Sequence, residues 1–381
     1  MLLLLFWACF GVILYVYLGY PLFTFAAAIL FDRRVRRTSH TPRISILIPA
    51  YNEEAHIRET LENKLKVTYP PDRLEIIVVS DGSTDRTDDI VREFICRGVR
   101  LIRQQPRQGK TAGLNLAVRE ASGEILVFSD ANSLFHPDAV ASLTANFADP
   151  SVGYVTGQLR YGCRIPSSVN EGCSLYMRYE NALRVAETRL GSIVGVNGGV
   201  DAVRRCLYRP MRADQLPDFV LPLSIVEQGF RVVYDPEALS AEDALTETYD
   251  EYRMRLRVAR RALAALSDYR HLLNPVTHGV YALQLLSHKV LRYFMPIFLL
   301  GLYAASTILA TRNTLFALFF GLQTLFYLTA LLALLVNPKG SIARALRIPL
   351  YFCLINAASA HAIVASLFGR SPLITWQPRK S

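Results

Sequence analysis

The chain has 381 residues, of which 51% are hydrophobic, and a formal net charge of +10 at pH 7. This length accommodates one large domain or two ordinary domains. The basic residues cluster beside apolar ends and in one segment, 252–261, a distribution that anionic headgroups and phosphates explain better than nucleic acid. The six cysteines show no paired metal-binding spacing, so we expect free thiols.

The first predicted element is a transmembrane helix. Residues 2–31 contain no charged side chain, and this run exceeds the roughly 20 apolar residues that cross a bilayer. A cleaved signal peptide is the alternative, but the run is too long for one and lacks a clear small-residue cleavage site. Four arginines follow within 33–37, and basic residues beside a span tend to stay in the cytoplasm. Residues 1–41 are therefore predicted to be a membrane helix with a basic juxtamembrane segment.

Residues 42–270 are charged and mixed in composition, and we predict that they form a cytoplasmic domain. Short apolar segments typical of strands alternate with amphipathic segments typical of helices. The predicted strands are 43–50, 74–80, 99–104 and 124–130. The predicted helical segments lie near 53–65, 85–97, 110–121 and 136–148. This alternation predicts a parallel sheet with helices on both faces, and ligands bind such sheets outside the carboxyl ends of the strands.

The C-terminal part of the chain is again apolar. Three further spans are predicted at 293–310, 314–336 and 348–369, within a membrane domain of residues 293–381. Segment 271–292 mixes apolar with basic residues, which suits a helix lying at the membrane interface. Four spans put the basic tail outside, against the positive-inside rule, and a re-entrant segment here would remove that conflict. The sequence thus predicts a multi-pass protein of the cell membrane and leaves the side of the tail open.

Six short motifs of the central domain carry a resemblance to a known family. They are IPAYNEE (48–54), VVSDGSTD (78–85), QGKTAGLN (108–115), FSDAN (128–132), VNGGVDAVRR (196–205) and LPDFVLP (216–222). In this order they resemble family-2 glycosyltransferases over about 42–262, and the membrane flanks resemble those of hyaluronan and poly-N-acetylglucosamine synthases. The resemblance implies an α/β GT-A fold, a Rossmann-like mixed sheet with helices on both faces, joined here to transmembrane helices at both ends.

The chemistry of sugar transfer explains the residue types in these motifs. A nucleotide-sugar donor releases a diphosphate, whose charge must be neutralised by a divalent metal and by Lys or Arg. By resemblance, Asp130 and Asn132 take the metal-binding positions for Mg²⁺ or Mn²⁺. At the end of a strand, their spacing of two should point both side chains to the same face. Asn132 adds no charge, so we expect weaker metal binding than with two carboxylates. The alternative is that both residues cap a turn.

The resemblance also implies a set of donor contacts. The nucleotide-sugar-binding residues are Ala50, Tyr51, Glu53, Asp81, Lys110, Asp130, Arg255 and Arg257. From the residues alone, Glu53 could equally be a charge that favours the N-terminus of a helix. Asp81 could equally be a turn residue before Gly82. Arg257 takes the Arg position of the Gln-x-x-Arg-Trp segment of processive relatives, with Arg255 as its helper. Val258 stands in the Trp position and offers far less surface for stacking on a sugar.

Asp218 in LPDFVLP takes the position of the base that deprotonates the acceptor hydroxyl. Asp214 is the alternative base, and helix capping is the alternative role of Asp218. The acceptor is expected beside Asn197, Gly198 and Gly199. We therefore predict an inverting, metal-dependent glycosyltransferase that moves a sugar from a nucleotide-sugar, a UDP-sugar, to a membrane-associated glycan or lipid-linked acceptor in polysaccharide biosynthesis. A single-sugar transferase to a lipid and a catalytically silent, nucleotide-binding membrane scaffold are the alternatives.

Overall fold

The computed structural model of the chain describes residues 1–162, 168–243, 248–336 and 341–369. The chain divides into two compact units. The sheet unit contains Leu30–Gly162 and Arg184–Asp243, and the helical unit contains Met1–Ile29 with the described parts of Cys163–Leu183 and Ala244–Ser371. The domain boundaries predicted from the sequence, at 41, 270 and 292, stay predictions.

The described part of the sheet unit is built on one mixed sheet. Its strands are β1 Ile44–Ala50, β2 Leu74–Ser80, β3 Val99–Arg103, β4 Ile125–Phe128, β5 Leu134–Phe135, β6 Val152–Gly162, β7 Asp201–Arg204 and β8 Arg231–Asp243. They lie in the order β3-β2-β1-β4-β7-β6-β8-β5. The pairs among β1 to β4 are parallel, whereas β7 is antiparallel to both β4 and β6. The four strands predicted from the sequence are confirmed.

The strands at the centre of the sheet are buried on both faces. All four residues of β4 are buried, and β1 is buried except at Pro49. Strands covered on both faces read as continuous apolar runs rather than as an alternation. Ile46, Val78 and Val127 from three neighbouring strands share one hydrophobic core. The carboxyl ends of β1 and β4 therefore open at the same, rigidly supported edge of the sheet.

Short helices accompany the strands of the sheet unit. They are α2 Ile57–Lys64, α3 Thr87–Arg92, α4 Lys110–Glu120, α5 Ala139–Ala145 and α7 Pro217–Glu227. Helix α7 begins with Pro217, a residue suited to the first helical position. Asp218 then lies in the first turn, where a carboxylate is favoured by the helix dipole.

The helical unit contains the apolar segments. Its helices are α1 Leu2–Leu30, α6 Ser168–Leu190, α8 Thr248–Asp268, α9 Pro275–Leu309, α10 Thr314–Val336 and α11 Ser341–Leu367. Helix α6 belongs to this unit only up to Leu183, and its remaining residues belong to the sheet unit. Among the described residues, four helices are long and apolar enough to cross a membrane: Leu2–Leu30, Pro275–Leu309, Thr314–Val336 and Leu346–Leu367. These four candidates agree in number and order with the predicted spans, and their crossing of a membrane stays a prediction. Phe6 and Cys9 of α1 pack in one cluster with Leu302 and Ala305 of α9.

The predicted interfacial segment, 271–292, is largely helical. It enters α9 at Pro275, and Gly279 departs from helical geometry with a φ of 51° and a ψ of −128°. The chain then stays helical to Leu309. A glycine tolerates this positive φ at little steric cost, so α9 changes direction there. Its location at a membrane surface stays a prediction.

A buried ionic cluster lies within the helical unit. Glu180 on α6 lies 3.0 Å from Nε2 of His288, and it accepts a hydrogen bond from Arg292 on α9. Tyr179 also accepts a hydrogen bond from Arg292, at 3.2 Å. Buried charges are retained only when they are paired in this way. These contacts fix α6 against α9.

Four cysteines are free thiols, as predicted: Cys9, Cys96, Cys206 and Cys353. Cys163 and Cys173 lie outside the side chains that the structure describes. The basic tail from Arg370 onward also lies outside the described residues, and its predicted position stays a prediction.

Candidate active site

The sheet unit contains a cleft at the carboxyl ends of β1 and β4. Its lining includes Lys110, Asp130, Tyr154, Gly199 and Asp218. These residues come from five separate segments of the chain, so the fold alone brings them together. Four of the five are residues that the sequence singles out as site residues.

Lys110 lies at the centre of this cluster. It is the first residue of α4, and its Nζ donates a hydrogen bond of 2.6 Å to Oδ1 of Asp130. The same Nζ lies 3.9 Å from Oδ2 of Asp218. Burial lowers the pKa of Lys110, but the charges of Asp130 and then Asp218 outweigh it, and the pKa rises above its ordinary value. Lys110 is therefore a permanent cation between two carboxylates.

Asp130 lies on a turn rather than on a strand. Strand β4 ends at Phe128, and the N–H of Ser133 donates to the carbonyl of Asp130 at 3.2 Å. The strand-end geometry expected for Asp130 and Asn132 is therefore wrong, because the chain has left the sheet before either residue. Helix α2 supports the turn, since the Thr60 hydroxyl donates to the carbonyl of Ala131 at 2.7 Å. Lys64, fully buried, donates to the carbonyl of Ser133.

The Asn197–Gly199 loop, predicted to receive the acceptor, lies against both carboxylates. Gly198 and Gly199 both have a φ of +74°, a conformation that favours glycine. A Cβ on Gly198 would lie 2.9 Å from Oδ2 of Asp218, and one on Gly199 would lie 3.8 Å from Oδ2 of Asp130. Asn197 itself donates to the carbonyl of Gly157 at 2.8 Å. The loop can approach the carboxylates this closely only because it carries no side chains there.

The oxygen donors at this edge suit a hard divalent cation. Asp130 exposes 32% of its side chain, and Asn132 is partly exposed on the same turn. Among the residues that the structure describes, no three His, Cys, Asp or Glu side chains gather as a complete metal site. Mg²⁺ in enzymes is commonly held by one or two protein ligands together with phosphate oxygens and water. The residues present therefore fit an ion that is shared with a bound diphosphate.

The residues predicted to bind the nucleobase of the donor adjoin the Lys110–Asp130–Asp218 cluster through the loop before Lys110. The N–H of Asp81 donates to the carbonyl of Ala50 at 2.8 Å. The Asp81 carboxylate accepts hydrogen bonds from the backbone N–H groups of Gln108 and Gly109, at 2.8 and 2.9 Å. Asp81 thus holds the loop that leads into α4. Its contact with a base stays a prediction.

The remaining predicted nucleotide residues of the sheet unit also have defined surroundings. The Tyr51 ring lies 3.5 Å below the guanidinium of Arg107, a cation–π contact. Glu53 is buried, and its N–H donates to the Thr87 hydroxyl at 2.8 Å. Asp214, the alternative base, forms an ion pair of 3.2 Å with Arg212.

The two predicted arginines belong to the helical unit. Arg255 donates hydrogen bonds to Glu251, at 2.8 Å, and to the hydroxyl of Tyr351, at 2.7 Å. Arg257 lies on the same helix, α8. Their expected contacts with the donor stay predictions.

Three residues near the cleft were not singled out from the sequence. Tyr154, Asp201 and Glu242 are almost completely buried, and the Glu242 carboxylate accepts a hydrogen bond from Ser133 on the turn of Asp130. Two of them carry a visible signal, because Asp201 and Glu242 are acidic residues inside strand-like runs, VDAV and LSAED. Charged residues are seldom buried in strands without a partner or a role. Tyr154 has no such signal, because tyrosine is common in strands.

The described chain has the fold of a known sugar-transferring enzyme. It superposes on the structure of a mannosyltransferase from Pyrobaculum calidifontis in complex with GDP-Man and Mn²⁺, with a TM-score of 0.73 at 24% identity, covering 96% of this chain and 99% of that one. The fold is therefore GT-A-like, with apolar helices at both ends. This likeness concerns the fold alone.

Curated relatives and a family model indicate which class of enzyme this chain resembles. Residues 45–181 match the model of glycosyl transferase family 2. A probable glycosyltransferase of Bacillus subtilis is 30% identical over 58% of this chain and 55% of its own length. An N-acetylglucosaminyltransferase of Rhizobium meliloti is 28% identical over 58% and 56%, and a hyaluronan synthase of Streptococcus pyogenes is 30% identical over 45% and 42%. The chain thus spans about half the length of these relatives.

Proposed function

We propose that the protein transfers a sugar, with inversion, from a nucleotide-sugar to a membrane-associated glycan or lipid-linked acceptor in polysaccharide biosynthesis. One observation carries the proposal: Lys110 joins Asp130 and Asp218 in a single cleft beside the Asn197–Gly199 loop. The reaction needs a cation that stabilises the anionic leaving group, a general base and a loop that receives the acceptor. In the proposal these are Lys110, Asp218 and the Asn197–Gly199 loop. The match to the family 2 model supports the assignment.

The reaction follows from the positions of these groups. In the proposed step the acceptor hydroxyl oxygen bonds to the anomeric carbon of the donor, and the bond from that carbon to the diphosphate breaks. The diphosphate leaves with the bonding electron pair, and Asp218 accepts the hydroxyl proton. Lys110 stabilises the charge that develops on the leaving group.

A divalent metal belongs to this proposal. Asp130, and Asn132 through its side-chain carbonyl, would hold Mg²⁺ or Mn²⁺ together with the donor's diphosphate. When bound, the ion neutralises charge on the leaving group. The mannosyltransferase of the same fold was solved with Mn²⁺, which supports the choice of ion. Ala50, Tyr51, Glu53 and Asp81 are assigned to the nucleoside.

The membrane context completes the proposal. Basic residues follow α1 within 33–37, and they support a cytoplasmic location of the sheet unit. Arg255 and Arg257 are assigned to the donor's diphosphate. A single-sugar transferase to a lipid is favoured by one observation, Val258, which leaves little surface on which a polymer could stack. A silent scaffold is the least supported reading, because Lys110, Asp130 and Asp218 are assembled as a reactive cluster.

A donor screen tests the proposal. Purified protein in lipid nanodiscs would be incubated with Mn²⁺ and a panel of UDP- and GDP-sugars, with and without an added membrane-lipid extract. Released nucleoside diphosphate and the mass of the product would be measured. We expect release from one UDP-sugar and a mass gain on a lipid-extracted acceptor. Release from a GDP-sugar alone would correct the donor, and no release from any donor that binds would leave the scaffold as the function.

A further inference from the structure

Asp201 lies on the same face of the sheet as the cleft. It begins β7, where it pairs with Phe128 of β4 on one side and with Thr156 of β6 on the other. Residues paired across neighbouring strands point to the same face, as do residues two apart on one strand. Phe128 and Tyr154 both line the cleft. Asp201 therefore lies between them, directly beneath the proposed site.

The surroundings of Asp201 are unusual for a carboxylate. The residue is 1% exposed, and its carboxyl oxygens form no hydrogen bond of good geometry with a described residue, although the hydroxyl groups of Thr156 and Tyr154 lie beside them. An ionised carboxylate without partners is among the costliest groups to bury, and it takes up a proton instead. Burial, followed by the negative charge of Asp218, raises the pKa of Asp201 to about 8, while Thr156 and Lys110 partly oppose the shift.

Four titratable groups face Asp201 from the elements around it. They are Lys110 from α4, Asp130 from the turn after β4, Asp218 from α7 and Tyr154 from β6. Burial, then the proximity of Asp201 and Asp218, raises the pKa of the Tyr154 hydroxyl, so this group carries no charge at neutral pH. With Asp201 neutral, the single charge of Lys110 faces two carboxylates. With Asp201 ionised, it would face three, and an anionic donor would meet a more negative site.

We propose that Asp201 is a positioning residue of the transfer site, a buried and un-ionised carboxyl that supports Lys110 and Asp218 from beneath the cleft. It leaves Asp218 as the base that faces the acceptor, and it leaves Lys110 free to act on the donor. The inference rests on the proposed function. It predicts that loss of the Asp201 proton weakens donor binding and transfer, although Asp201 does not touch either substrate.

The test compares Asp201→Asn with the wild-type protein from pH 5 to pH 9. Asparagine matches a neutral carboxyl in shape but cannot ionise. A carboxyl whose folded pKa is raised stabilises the protein most below its unfolded pKa of roughly 3.9, and this contribution is lost as the pH rises through about 8. We therefore expect the unfolding midpoint of Asp201→Asn to exceed that of the wild type at pH 9, with a difference that shrinks towards pH 5. This measurement needs no donor.

The second readout is kcat/KM for the donor across the same range. The wild-type value should fall above pH 8, and Asp201→Asn should lack this fall while keeping near wild-type transfer at pH 7. Asp235→Asn is the matched control, because Asp235 is equally buried but is paired with Asn146 and with Arg37. It should keep the wild-type pH profile of transfer. If Asp201→Asn does not fold, Asp201→Ser gives the same comparison with a smaller neutral side chain.

The outcomes separate this inference from the proposed function. Transfer by both proteins with superimposable pH profiles and equal midpoints at pH 9 would overturn the inference and leave the proposed function standing. A midpoint shift at pH 9 without transfer from any donor would confirm the neutral carboxyl and overturn the proposed function. A large loss of transfer in Asp201→Asn at pH 7 would also overturn the inference, because it would show that the carboxylate form is needed.

Discussion

The Nζ of Lys110 lies 2.6 Å from Asp130 and 3.9 Å from Asp218. One cation thus connects the proposed metal ligand with the proposed base. These two carboxylates come from a turn after β4 and from the start of α7, and both would repel a diphosphate in the absence of the cation. The pairing explains how a site with acidic ligands can receive an anionic donor.

Lys110→Met should keep the length of the side chain and remove its charge. We expect kcat to fall by about 10²- to 10³-fold, the range seen when one preorganised stabilising group is removed, and the KM for the donor to rise. Lys66→Met is the matched control, since Lys66 is exposed on the surface. Initial rates of nucleoside diphosphate release would measure both. Equal losses in the two variants would show that Lys110 has no special role.

Gly198→Ala should distort the loop that is proposed to receive the acceptor. The added Cβ would lie 2.9 Å from Oδ2 of Asp218 at a φ of +74°, so either the loop or the carboxylate must move. We expect transfer to fall at least tenfold with nucleotide affinity unchanged, because the damage lies on the acceptor side. Gly98→Ala is the control, with a φ of +87° and nothing within 4 Å. It carries the same backbone strain, so a similar loss of transfer there would refute the steric explanation.

The metal assignment makes opposite predictions for two neighbouring residues. Asp130→Ala should abolish turnover, whereas Asn132→Asp should be tolerated or should tighten Mn²⁺ binding, because it adds a carboxylate to a charge-poor pair. Electron paramagnetic resonance of Mn²⁺ titrated into protein with bound nucleotide would give the affinities. Asp138→Ala, at an exposed position, should change neither. Full activity in excess chelator would rule out the metal.

The ionic cluster of the helical unit should contribute to stability. Glu180→Gln leaves the charge of Arg292 buried with a weaker partner, and we expect a loss on the order of 3–5 kcal/mol, as when one member of a buried pair is removed. Glu93→Gln is the comparison, because the ion pair of Glu93 with Arg58 is about half exposed and should contribute no more than about 1 kcal/mol. Unfolding in lipid bicelles measures both variants. Equal effects would mean that the cluster is not a stabilising contact.

The part of the fold that could be predicted from the sequence is the part that local patterns determine. Strands β1 to β4 are apolar runs separated by amphipathic segments, and their parallel pairing follows from that alternation. The spans of the helical unit follow from length and apolarity. Six motifs in order indicated the residues of the cleft, including Lys110, Asp130 and Asp218.

The rest depends on relationships between distant segments. Strand β7 inserts between β4 and β6, and this register alone brings Asp201 beneath the cleft. No local pattern reports which strands become neighbours. The turn at Asp130 was misplaced because a strand's last residue is set by its partner strand rather than by its own sequence. Tyr154 was missed for the same reason, since its position on the cleft face depends on cross-strand pairing.

The central claim, that Asp218 is the base of a glycosyltransferase, is tested most directly by Asp218→Asn. This change keeps the shape of the side chain and removes its basicity. We expect kcat to fall by roughly 10²- to 10⁴-fold, while nucleotide affinity, measured by calorimetry, stays near the wild-type value because the loss is confined to the transition state. Asp214→Asn should transfer normally, since Asp214 is paired with Arg212. Near wild-type transfer by Asp218→Asn, with an inactive Asp214→Asn, would contradict the account and make Asp214 the base.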